Sequence, residues 1–278
     1  MGLTSQEIKK ISEEVMKKYQ EQANTGEDTA KTTGVNANGN LGIYSEMETA
    51  INEAEKARRA LDGISLEKRG KIIKKMREAA LENAAYLGKL GQEETGFGRP
   101  GDKKQKNILA AEKTPGIEDL SSTTYTGDDG LTLVEQAPYG IIGSITPSTN
   151  PSSTIINNSI SMIAAGNVVV YNPHPGARKV SLETMKVLNR AIRECGYTED
   201  LLFSVAEPTV ETSQELMDHD MVRILVVTGG EAVVNIAMQT GKKVIAAGPG
   251  NPPVIVDNTA DIAQAARDIV DGASFDNN

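Results

Sequence analysis

Ile141-Ile-Gly-Ser-Ile-Thr146 is a short apolar run, and Pro147-Ser-Thr-Asn-Pro151 closes it with two prolines. A run that is apolar on consecutive rather than alternate positions suits a strand buried on both faces of a parallel sheet. Similar runs recur downstream at Val168 to Tyr171, Phe203 to Ala206, Ile224 to Val227, Val244 to Ala247 and Val254 to Val256. Helix-length segments separate them. Two of these, Ala177 to Cys195 and Glu231 to Thr240, stop at Gly196 and Gly241, each placed to cap a helix C-terminus. The alternation predicts an α/β protein with a doubly wound parallel sheet from Tyr139 onward.

Upstream of that sheet the pattern changes. Thr123 to Ala137 is β-branched and alternating, with Gly127 to Gly130 between two short runs, which predicts a hairpin. Ser45 to about Lys113 is rich in Ala, Glu, Lys and Leu at helical spacing, broken at Asp62-Gly63 and across Gly91 to Gly101, which predicts two or three helices. Residues 1–20 place Leu3, Ile8, Ile11, Val15 and Tyr19 on one stripe of an amphipathic helix. Glycine and asparagine dominate residues 21–42, the composition of a flexible linker. The expected organisation is a helix at 1–20, a tether at 21–42, and a helical region joined to a dinucleotide-binding layer over 43–278.

Composition excludes several function classes. A net charge of -9 over 278 residues, with no basic stripe beside aromatic residues, gives no footprint for nucleic acid. The apolar runs are strand-sized and far short of a membrane span, so a soluble, cytoplasmic protein is expected. A lone cysteine, Cys195, cannot form an internal disulfide, and His174 and His219 are the only histidines, so a Cys/His metal site is not expected. Tryptophan is absent, which leaves an aliphatic core.

In an open parallel sheet, ligands bind beyond the carboxyl ends of the strands. Four loops fall there: Thr146-Pro-Ser-Thr-Asn-Pro151, Asn172-Pro-His-Pro-Gly176, Thr228-Gly-Gly-Glu231 and Ala247-Gly-Pro-Gly-Asn-Pro-Pro253. The prolines of the first hold Asn150 on a stiff turn. The second precedes a helix N-terminus that could face a ribose or phosphate, and the glycines of the third allow a ligand close to a helix start. Taken one at a time, such loops are also ordinary turns, and the G-x-G-x-x-G fingerprint is missing.

In order, Pro138 to Pro151, Gly166-Asn-Val-Val-Val-Tyr-Asn-Pro-His-Pro-Gly176, Val227-Thr-Gly-Gly-Glu231 and Ala247 to Pro253 resemble the aldehyde dehydrogenase superfamily, over about Ser45 to Asn278. Pro-Ser-Thr-Asn-Pro, Asn-Pro-His-Pro and Gly-Pro-Gly-Asn-Pro-Pro resemble its CoA-acylating branch, which oxidises short aldehydes such as propionaldehyde or acetaldehyde to acyl-CoA. The resemblance implies a cysteine that attacks the aldehyde, hydride transfer to NAD, and release of a thioester to coenzyme A. Asn150 matches the oxyanion-hole asparagine, a role that suits a neutral amide donor.

Hydrolytic members carry a water-activating glutamate at the position of Ala247. Its absence favours attack by the CoA thiol, which is partly ionised near neutral pH. The cofactor-lining positions implied by the resemblance are Thr146, Pro147 and Ser148; Asn172, Pro173, His174 and Pro175; and Thr228, Gly229, Gly230 and Gly248. Asn172 replaces the family's ribose-side lysine, and nothing basic here invites a 2′-phosphate. His174 is open to two readings, a nucleotide contact or a structural loop residue.

The family's nucleophile is expected just beyond Asn278, so the chain is expected to be truncated before its catalytic domain and oligomerisation segment, and to form a homo-oligomer when full length. Cys195, at a helix end, is expected to be a packing residue. The N-terminal helix resembles the encapsulation peptides of bacterial microcompartment enzymes, which implies a shell-protein partner and a place inside that compartment; an ordinary first helix packed on its own domain is the other reading. A non-catalytic nucleotide-binding or cargo protein is the alternative to an enzyme, and a semialdehyde or acyl-phosphate reductase is a third, weaker fit.

Overall fold

Consecutive apolar residues need cover on both faces, and Ile141–Thr146 receives it, since all six residues are buried. The computed structural model describes residues 40–275 apart from 198, 249, 251 and 252, so the expected helix at 1–20 and most of the tether lie outside the described residues. In chain order the strands are β1 (Ile43–Tyr44), β2 (Thr123–Gly127), β3 (Gly130–Val134), β4 (Ile141–Thr146), β5 (Val168–Pro173), β6 (Leu202–Val205), β7 (Val222–Thr228) and β8 (Lys243–Ala247). Six of them form one sheet in the order β1-β6-β5-β4-β7-β8, parallel throughout. The remaining two pair antiparallel as the expected hairpin, turning between Gly127 and Gly130.

Among the described residues, helices α1 (Met47–Leu61), α2 (Leu66–Glu82), α3 (Ala84–Thr95) and α4 (Pro100–Lys113) precede the hairpin. The sequence predicted two or three helices here. The extra boundary is Asn83, a single residue at φ -96°, ψ 3° whose side chain donates to Ala79 O at 2.8 Å, and no glycine or proline marks it. Downstream, α5 (Pro151–Ala164) joins β4 to β5, α6 (Arg178–Glu194) joins β5 to β6, α7 (Val210–Asp218) returns to β7, and α8 (Glu231–Gln239) leads to β8. The last described helix is α9 (Ile262–Ser274). Gly196 and Gly241 both adopt left-handed φ, 75° and 73°, as their capping positions require.

Right-handed crossovers fix the layers. Moving outward from β4 to β5 to β6 places α5 and α6 on one face; the return to β7 places α7 on the other, beside α1. Helix α2 packs outside α5 and α6. Gly143 in the central strand admits this packing: a Cβ there would lie 3.0 Å from side-chain atoms of Leu225 and Val222 and 3.3 Å from Leu216 on α7. The core is mostly aliphatic, as composition implied, and its largest wholly buried side chain, Tyr171, has its hydroxyl 2.8 Å from Ser159 Oγ.

Two sheet margins differ from expectation. Asn40 to Gly42 have linker composition, yet they are held: Ile43 N donates to Asn40 O, and Ser204 N donates to Gly42 O, each at 2.9 Å. That anchor starts β1, a two-residue edge strand too short to leave a sequence pattern. Asn189, buried on α6, completes the edge. Its amide donates to Leu41 O and Leu202 O at 3.0 and 2.8 Å and accepts from Leu201 N and Leu202 N at 3.2 Å each. At the opposite margin Val254 to Val256 form no strand. Their side chains are exposed, Ile255 at 91%, and Pro253 before them offers no N–H to a ladder.

Candidate functional site

The order of strands reverses between β4 and β7, and a ligand crevice opens at such a switch point. Register levels the strand ends there: Thr146 lies beside Pro173, and Thr228 beside Ala247, while Ile145 pairs with Val227 one residue earlier. The loops marked in sequence therefore leave one carboxyl edge, although residues 249, 251 and 252 of the fourth lie outside the described set. The first two are stitched together by His174 N donating to Thr146 O at 3.0 Å.

Thr146 is buried, and its Oγ1 finds no hydrogen-bond partner among the described residues, an unusual state for a hydroxyl in a close-packed strand end. Pro147, Ser148 and Thr149 lead from it to Asn150, the residue before α5, with Pro151 in the first turn. Asn150 does not cap its own helix. Its Oδ1 instead accepts from Lys106 Nζ at 2.9 Å, while Lys103 Nζ donates to Thr149 O at 2.7 Å. Ser152 Oγ donates to Asn107 Oδ1 at 2.8 Å. Three residues of α4 thus grip the turn, and no acidic residue stands in the first turn of α5 to offset the local positive potential.

The Asn172 loop is organised differently from the sequence expectation. The Asn172 side chain is buried: it donates to Thr209 O at 3.1 Å and accepts from Thr212 Oγ1 at 2.7 Å, bracing the capping box of α7. The N-terminus of α6 is not open to a phosphate through its first amides, because Glu94 on α3 accepts from Lys179 N and Val180 N at 2.8 and 2.7 Å. A carboxylate of the protein already fills that electropositive position.

His174 is partly buried and bonded within its own turn. Its Nδ1 accepts from Gly176 N at 3.0 Å, so the ring is the neutral Nε2–H tautomer, and burial lowers its pKa. Pro173 is buried beside it and Pro175 is exposed. On the β7 side, Gly229 and Gly230 have negative-side backbone angles, and an added Cβ would meet nothing within 4 Å. Neither backbone conformation nor packing requires glycine at either position. Gly248 is exposed at the β8 end.

Cys195 stands apart from this edge. Helix α6 has 17 residues, roughly 25 Å at 1.5 Å per residue, and it runs from the carboxyl edge to the amino edge. The thiol therefore lies at the far side, within 3.7 Å of Lys71 O, and burial raises its pKa. A nucleophilic thiol requires the opposite shift. A cavity of about 420 Å³ lined by Glu55, Arg58, Tyr139 and Arg223 also lies at the amino edge, around the starts of β4 and β7, away from the loop crown. Sequence reading missed Glu94, Lys103 and Lys106. One signal was available for Lys103: with Asn107 and Ala111 it occupies the i, i+4, i+8 stripe that α4 buries.

A doubly wound parallel sheet with glycine- and proline-rich loops crowded at its switch point is an α/β layer of the nucleotide-binding type. The aldehyde dehydrogenase family model matches residues 19–277, and the chain belongs to that family. An acetylating acetaldehyde dehydrogenase from Bilophila wadsworthia is 49% identical over 283 aligned residues, which cover 100% of this chain and 57% of that protein. A propionaldehyde dehydrogenase from the fucose utilisation bacterial microcompartment of Clostridium phytofermentans superposes with a TM-score of 0.82 at 47% identity, covering 85% of this chain and 55% of its own. The Rhodopseudomonas palustris propionaldehyde dehydrogenase, solved with bound CoA and an acylated cysteine, gives a TM-score of 0.82 at 46% identity and covers 85% and 54%. The chain thus spans little more than half the length of these relatives.

Proposed function

We propose that this chain supplies the cofactor layer and the oxyanion donor of a CoA-acylating aldehyde dehydrogenase that oxidises acetaldehyde or propionaldehyde with NAD. The observation that carries this reading is the Asn150 amide at the switch point. Lys106 occupies its oxygen, which leaves the N–H end to donate. As a thiolate adds to the aldehyde, the carbonyl oxygen gains a full charge, and an amide donor preset toward it lowers the barrier by about 3 kcal/mol. Thr146, with its unpartnered hydroxyl, and the open approach over Gly229 and Gly230 suit the cofactor beside it. A nicotinamide held by these loops would supply the hydride acceptor.

Acyl transfer to CoA, rather than hydrolysis, fits the β8 end. Ala247 is level with Thr228, and no carboxylate follows before Asp257, so no general base stands there to activate water. The names of the relatives above agree with this choice. The thiol belongs to polypeptide outside these residues, because Cys195 lies at the wrong edge.

NADH titration of the chain, followed by fluorescence, tests the cofactor half. The expected result is saturable binding that Gly229→Val weakens at least tenfold without changing the unfolding midpoint. Propionaldehyde and CoA added with NAD should produce no NADH from this chain alone. CoA-dependent turnover that Cys195→Ser abolishes would overturn the assignment of the thiol.

The microcompartment association extends the same reading. The stripe of Ile8, Ile11, Val15 and Tyr19 suits helix-in-groove docking on a shell protein, with residues 21–39 as the tether. A fluorescent reporter fused to residues 1–20 should form foci in cells assembling shells; diffuse signal there would exclude the docking role.

A further inference from the structure

We infer that Lys106 is a positioning residue for the Asn150 amide, fixing which of its two ends faces the reacting oxygen; this rests on the oxyanion role proposed above. The two ends of a primary amide are nearly isosteric, so packing alone distinguishes them poorly, and a half-turn would present a carbonyl oxygen to a forming alkoxide. An ammonium settles the matter chemically. It has three donors and no acceptor, so it can meet only Oδ1, here at 2.9 Å. The same contact draws electron density toward Oδ1 and makes the Nδ2 hydrogens better donors.

The surroundings hold the ammonium in place. Lys106 Nζ lies 4.8 Å from the centroid of the Phe275 ring, a cation–π contact. One helical turn earlier, Lys103 is 4% exposed and fastened to the adjoining Thr149 carbonyl at 2.7 Å. Both lysines project from α4 toward one turn, so the backbone and the side chain at the candidate oxyanion position are set by a single helix separated from it by 44 residues in sequence. Arginine can keep the donor-only character, whereas methionine fills the space without it.

The test separates orientation from catalysis. In the 278-residue chain, the Asn150 side-chain amide is assigned in a ¹⁵N-correlated NMR spectrum as the pair of signals missing from Asn150→Ala. Lys106→Met should move that pair to the positions of a solvent-exposed asparagine while backbone signals of β4 and α5 stay in place, and Lys106→Arg should restore it. An unmoved pair in Lys106→Met overturns the proposal. In the full-length enzyme, Lys106→Met should lower kcat about tenfold to a hundredfold with the aldehyde KM little changed. Adding it to Asn150→Ala should cost nothing further, because the two act through one group. Independent, multiplying losses would also overturn it. Full turnover in Asn150→Ala, with the NMR shift present, instead removes the oxyanion reading and leaves the orientation result standing.

Discussion

Replacing Asn189 by alanine removes a group that serves as a substitute strand. The amide satisfies Leu202 on both its N–H and its C=O, at 3.2 and 2.8 Å, at a point where β1 has not yet begun to pair. It also holds Leu201 N and Leu41 O. Asn189 is wholly buried, so water does not replace it without opening the edge. Four hydrogen bonds at about 1 kcal/mol each give roughly 4 kcal/mol, and the small cavity left behind adds to this. The loss is a large share of the roughly 5 to 15 kcal/mol typical of a domain. Urea unfolding of the wild-type and variant chains, compared at equal m, measures it, and hydrogen exchange at Leu201 and Leu202 should accelerate together. A loss below about 1 kcal/mol would mean that the amide is not what closes this edge, and the reasoning would be refuted.

Gly143→Ala should destabilise the chain by about 1 to 2 kcal/mol, since the crowding of Leu225, Val222 and Leu216 outweighs the gain from a stiffer unfolded chain; calorimetry would check it, and a raised Tm would contradict the close-packing account. Thr146→Val should be neutral or mildly stabilising, because the buried Oγ1 has no partner to lose, while NADH binding weakens. If binding is unchanged, the hydroxyl is not reserved for the cofactor. His174 has a folded pKa below its ordinary 6.5, so its neutral form favours the fold above that pH and the contribution is lost as pH falls toward the folded value. Protonation at Nδ1 also ends its bond from Gly176 N. The acid-side loss of stability below pH 6.5 should therefore shrink in His174→Asn; an NMR titration of the ring at or above 6.5 would contradict the assignment.

Much of the sheet is legible in sequence because parallel strands buried on both faces leave consecutive apolar runs, and β4 was bounded correctly at Ile141 and Thr146. Val254 to Val256 have the composition of a strand but, among the described residues, no neighbour to pair with. Sequence reading fell short at Ile43-Tyr44, whose pairing is set by Asn189 and β6 rather than by any local pattern. At the candidate site, proline-flanked Asn150 was visible locally. Its orientation was not, because Lys106 is brought to it by tertiary packing. Asn172 illustrates the converse: a polar residue of suggestive local composition belongs to β5 and turns its side chain inward to Thr209 and Thr212.

The two margins of the sheet are unequal in a way that bears on assembly. On the β1 side the ladder ends after two residues under a buried amide, which leaves little template for another strand. On the β8 side five residues run along the outside with Ile245 55% exposed, followed by the uncovered Val254 and Ile255. Among the described residues, the border beside β8 is therefore the one more receptive to an added strand.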